Sequence, residues 1–140
     1  MRSTGFPVSA AVGCVLVSMT AIAAAQQNMD LGKREYASKC AVCHGKDAKG
    51  DGPYAAELKR RPADLTTIAK RNGGVFPYPR MYDLIEGSGA GHGPRDMPVW
   101  GWDYTIRAGE QHPGSPENQA AYVRTRITSL LEYLNTLQVK

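Results

Sequence analysis

Apolar positions recur most persistently near the C-terminus, at Ala120, Val123, Ile127, Leu130, Leu131, Leu134 and Leu137. Steps of three and four residues line one face of an α-helix, so this segment is expected to be a helix packed on a core. Ser115 stands before it as an N-cap, Pro116 suits the first helical position, and Glu117 complements the positive helix end. Arg124, Arg126 and Glu132 fall on other faces, where solvated charge is expected.

Upstream the pattern is shorter and more interrupted. Leu31 to Lys39 reads as a short helix with Asp30 as its N-cap. Gly32 lies inside it, four residues before Tyr36. A glycine there costs about 1 kcal/mol relative to alanine, which points to close approach by another backbone. Residues 45–53 hold Gly45, Asp47, Gly50, Asp51, Gly52 and Pro53 and read as a loop. Short helices are expected over 54–59, over 65–71 after Asp64 as N-cap, and over 80–86. The glycine-rich stretch 87–93 has no G-x-G-x-x-G register, so it is no nucleotide cradle, and close backbone approach is its expected use. From Gly101 to Gly114 the chain reads as an extended stretch carrying Trp102, Asp103, Tyr104 and His112, either a covering loop or a docking surface. Strand-like alternation is lacking, and the class expected is all-α.

The chemistry sits at Cys40-Ala41-Val42-Cys43-His44. C-x-x-C-H is the attachment sequence of a c-type haem. Positions i, i+3 and i+4 share one helical face, so two thiols can form thioethers while His44 reaches the iron. Gly45 is a natural stop for that turn. Three rival readings are weaker. A thioredoxin-like dithiol needs a βαβ setting, zinc needs a second ligand pair, and a plain disulfide leaves His44 unexplained.

The N-terminus changes the cysteine count. Arg2, the apolar run from Val8 and Ala23-Ala24-Ala25 before Gln26 have the form of a signal peptide over 1–25, leaving one domain over 26–140. Cleavage would remove Cys14, so both remaining cysteines lie in the motif, and no integral membrane span would remain. The net charge of +4 would fall by one with Arg2. That is no nucleic-acid-binding balance. A chain this short buries a modest core, so a haem is expected to be structural as well as functional.

A first helix running into C-x-x-C-H, a loop-rich middle, a Met-Pro segment and an amphipathic last helix together resemble class I cytochrome c. The resemblance implies a small fold of three to five helices around one covalently bound haem c. It implies that Gly32 and Tyr36 meet Tyr133 of the last helix. Asp96-Met97-Pro98 resembles the segment supplying the sixth ligand, which makes Met97 and His44 the expected iron ligands, with His92 as the rival to Met97. Arg61-Pro62 resembles the segment whose proline carbonyl braces the proximal histidine, which would be Pro62 supporting His44. Arg61 and Trp100 are candidate partners of the haem propionates. The attachment chemistry resembles that of exported proteins, and the leader looks bacterial, so the periplasm is the expected location.

The function implied is one-electron transfer between redox proteins, such as a dehydrogenase, reductase or oxidase, with no substrate chemistry of its own. Alternatives are a dedicated haem subunit of a periplasmic dehydrogenase or reductase, a gas-binding haem sensor, and a dithiol oxidoreductase.

Overall fold

The structure, a computed structural model, describes residues 26–88 and 97–139. Five helices form its frame, and no strand occurs among the described residues. The first, α1, covers 26–44 and contains a π-helical turn at Tyr36–Cys40 before its last turn, Ala41–His44. It is already helical at 26, so Asp30 lies within it and is not its cap. Helices α2 (Ile68–Arg71), α3 (Tyr78–Glu86), α4 (Trp100–Gln111) and α5 (Pro116–Thr136) follow. The helix expected over 54–59 shrinks to one 3₁₀ turn, Ala55–Glu57.

Helix α5 is the platform. Ile127, Leu130, Leu131 and Leu134 are buried on its inner face, while Ala120, one turn or more before them, is exposed. Against this face lies α1, and the crossing depends on Gly32: a Cβ there would sit 2.0 Å from the Ser129 carbonyl oxygen and 2.9 Å from the Tyr133 Cβ. The Tyr36 and Tyr133 rings close the same contact.

The largest correction to the sequence reading is α4. The stretch from 101 to 111 is helix and not extended chain. Gly101, Tyr104 and Ala108 are buried at three- and four-residue steps, and α4 packs on α5 and α3. Glycine and alanine mark that inner face only faintly, while Trp102 and Ile106 put apolar surface on the opposite one.

The described C-terminal residues return to the middle of the chain. Gln138 donates to the Leu65 carbonyl at 2.8 Å and accepts from the Ala69 amide at 2.9 Å, and the Val139 amide donates to the Thr66 carbonyl. Asp64 caps the 3₁₀ turn Leu65–Thr67 by accepting from the Thr66 amide at 2.8 Å, as its position before the turn implied. These bonds fix the segment just before it, residues 61–63, beside the end of α1.

Candidate functional site

The site grows from the way α1 ends. The last carbonyls of a helix have no partner within it. Here the following loop supplies one for each: Gly45 N–H donates to Ala41, Tyr54 to Val42, Gly52 to Cys43 and Gly50 to His44, all within 2.8–3.1 Å. Gly45 makes the turn possible, at φ +81°, a conformation side chains rarely adopt. Tyr36 adds a brace, its hydroxyl donating to the Gly45 carbonyl at 2.6 Å. The turn-rich residues after the motif thus serve to hold it.

On this end sit the motif's side chains. Cys40 and Cys43 are free thiols, the first buried in the main hydrophobic cluster and the second half-buried. Burial pushes the Cys40 thiol up to about 12, helped by the negative charge of Glu35 and opposed by Lys39. A dithiol oxidoreductase needs an easily ionised thiolate, and this thiol is the reverse.

His44 is half-buried, and its Nδ1 lies 3.0 Å from the Ala63 carbonyl oxygen. A carbonyl only accepts, so Nδ1 carries the proton and the Nε2 lone pair is left for a metal. Burial lowers the imidazole below its ordinary value of 6.5, against the Ala63 bond, which favours the charged form. The neutral ring is the ligating form.

The brace therefore comes from Ala63 and not from Pro62. The Pro62 carbonyl instead faces Gly50, where a Cβ would meet its oxygen at 2.2 Å. Arg61 is exposed, and its Nε donates to the Gly50 carbonyl at 3.3 Å, which ties the 61–63 segment to the loop. Both residues act on the brace's position. Trp100 is half-buried at the start of α4, with the Lys39 ammonium 5.0 Å from its ring centroid. It also packs against the hydrophobic cluster that contains Cys40.

Met97 is partly buried and packs against the hydrophobic cluster that contains Cys40. It precedes Pro98 and lies just outside α4, in non-helical chain as the proline required. His92, Asp96, Cys14 and the leader lie outside the described residues. Met81 is core, and His112 stacks edge-on against Tyr122, with centroids 5.8 Å apart.

Two groups near the motif gave no signal in the sequence. Glu35 is buried and bound by Tyr104 and Arg126, so Arg126 is not the solvated charge its helical position suggested. Lys39 pairs with Asp103 at 2.7 Å. Both partners on α4 were hidden because that helix was not legible.

Two thiols at i and i+3 for thioethers and a neutral imidazole protonated on Nδ1, with its Nε2 lone pair left for iron, are the groups that covalent haem attachment requires, so the residues present fit the haem. Among described residues no helix is long and apolar enough to cross a membrane. A family model described as Cytochrome c matches residues 29–138. No curated protein and no solved structure matches the chain. A family match of that extent runs from the first turn of α1 through α5 and takes in every residue of the site, so the chain belongs to the cytochrome c family, and with it come covalently attached haem c, haem-based electron transfer and redox protein partners.

Proposed function

We propose that the chain is an exported single-haem electron carrier, with Cys40 and Cys43 as thioether anchors and His44 and Met97 as axial ligands. The observation that carries the reading is the His44 ring, held through Nδ1 by the Ala63 carbonyl in the tautomer that leaves the Nε2 lone pair for a metal. The haem supplies one-electron Fe(III)/Fe(II) chemistry. The chain supplies the rest: His44 is held in one orientation, Met97 comes from a stiffened segment beside the core, and the buried cluster around Cys40 excludes water. A soft thioether ligand favours the reduced metal and raises the potential relative to two imidazoles.

Export follows from the leader form of 1–25, with cleavage after Ala25 and the periplasm as destination. A single C-x-x-C-H motif supports one haem. A redox-titrated visible spectrum of the mature protein tests the whole reading. The expected result is a low-spin haem spectrum and a one-electron titration. A protein purified without haem absorption, or with a high-spin open iron, overturns it.

One observation favours a second reading, a dedicated haem subunit of a dehydrogenase or reductase. Helix α4 leaves Trp102 69% exposed and Ile106 49% exposed on its outer face. Exposed apolar side chains set one turn apart suit a lasting partner. Co-purification with a larger enzyme distinguishes that subunit from a free carrier.

A further inference from the structure

Glu35 stands five residues before Cys40 and is 6% exposed. Its Oε2 accepts from the Tyr104 hydroxyl of α4 at 2.9 Å, and its Oε1 is paired with the Arg126 guanidinium of α5. One carboxylate thus joins three helices. Burial, and then the charge and hydrogen bond of Glu35, push the Tyr104 phenol well above its ordinary value, so the hydroxyl remains a donor.

Glu35 and Cys40 are both buried on α1, five residues apart, so the carboxylate lies in the same interior as the residue proposed to anchor the haem. In keeping with that placement, Glu35 acts after burial to raise the Cys40 thiol, with Lys39 acting the other way. Attachment of a haem needs no carboxylate at this junction. Well-packed apolar side chains in place of such a pair are often as stable or more so, so stability alone does not account for it.

We propose that Glu35 is a potential-setting residue, its buried charge favouring ferric iron in the haem that Cys40 anchors, with Tyr104 and Arg126 limiting the size of that effect. The inference rests on the haem reading above. Reduction takes Fe(III) plus one electron from a redox partner to Fe(II), with no other bond made or broken. The added electron lowers the charge of the haem by one, which a nearby buried carboxylate opposes, and screening is weak in the interior. Tyr104 and Arg126 draw density from the carboxylate and soften the opposition. The assignment differs from a packing role in its sign: removing the charge and removing its donor act in opposite directions.

The test is a redox titration at pH 7 of the haem-loaded full chain and two variants. Glu35→Gln keeps the shape and removes the charge, and is expected to raise the equilibrium constant for reduction about tenfold, or about 59 mV for one electron. Tyr104→Phe keeps the ring and removes only the donor, and is expected to lower that constant two- to threefold. A Glu35→Gln potential that stays or falls while the native protein carries haem overturns this inference alone. If Glu35→Gln does not fold, a Tyr104→Phe potential that stays or rises does the same. A native protein with no haem absorption overturns the functional reading instead.

Discussion

The Tyr36 and Tyr133 rings meet with centroids 5.5 Å apart and planes inclined by 51°, one turn from the point where Gly32 admits the Ser129 carbonyl. The same tyrosine, through its hydroxyl, holds the Gly45 carbonyl at the end of the haem motif. One side chain therefore links the α1–α5 crossing to the site. Whatever disturbs the crossing is felt where the haem is attached.

Gly32→Ala tests that crossing. The new Cβ would fall 2.0 Å from backbone at Ser129, which cannot rotate away, so the helices must separate. Overpacking of this kind costs about 1–3 kcal/mol. Urea unfolding of the haem-loaded variant is expected to show a lower midpoint at unchanged slope, and an unchanged midpoint would refute the contact.

Asp103 gives a pH dependence of defined sign. Burial works to raise its carboxyl, but hydrogen bonds and charge from Lys39 and Arg107 outweigh that and hold it below its ordinary value of 3.8. The unfolded chain therefore binds more protons below 3.8, and stability from Asp103 is present above that pH and is lost as the pH falls through the depressed value. The carboxylate is one-third exposed, so Asp103→Asn is expected to cost only about 0.5–1 kcal/mol at neutral pH. The gap between native and variant urea midpoints should stay open from pH 7 down to 3.8 and narrow as the pH falls further, through the depressed value. A gap that stays constant rules out the ion pairs as its source.

What was legible in the sequence follows from how strongly each signal is built into local chemistry. C-x-x-C-H, Gly45 as its stop, Asp64 as a cap and the Leu-rich face of α5 each declare themselves within a few residues. Gly32 pointed to a close approach because a glycine inside a helix carries a cost, and the Ser129 carbonyl is the backbone that approaches it, where the sequence alone also allows an incidental glycine in a frayed first turn. Helix α4 did not declare itself, since its inner face is Gly101, Tyr104 and Ala108 and its outer face carries Trp102 and Ile106. Losing α4 also hid Glu35 and Lys39, whose partners are long-range. The shift of the brace from Pro62 to Ala63 is a one-residue matter of where a loop carbonyl points, and loop path depends on the bonds from Gln138 and Arg61.

Preventing attachment tests the structural share of the haem. Cys40 belongs to the same buried cluster as Tyr36, Ile68, Phe76, Met81 and Leu131, so the anchor proposed for the cofactor lies within the core. The double variant Cys40→Ala/Cys43→Ala is expected to lose most of its cooperativity on heating and much of its helical circular dichroism. A variant that keeps full helicity and a sharp transition would show that the polypeptide core suffices.

Met97→Ala decides the sixth ligand. Among the described residues Met97 is the methionine that sits outside the helices, is followed by Pro98 and packs against the cluster around Cys40, whereas Met81 is taken up by the core. Removing a thioether that favours the reduced metal is expected to lower the reduction equilibrium constant by tenfold or more, at about 59 mV per decade for one electron. It should also open a coordination position, so carbon monoxide is expected to bind the reduced variant rapidly and the native protein slowly. His92→Ala, the control at the rival ligand, is expected to change neither quantity. If His92→Ala lowers the axial ligation and Met97→Ala leaves potential and carbon monoxide binding as they were, the iron is held by two histidines, and Met97 is packing beside it.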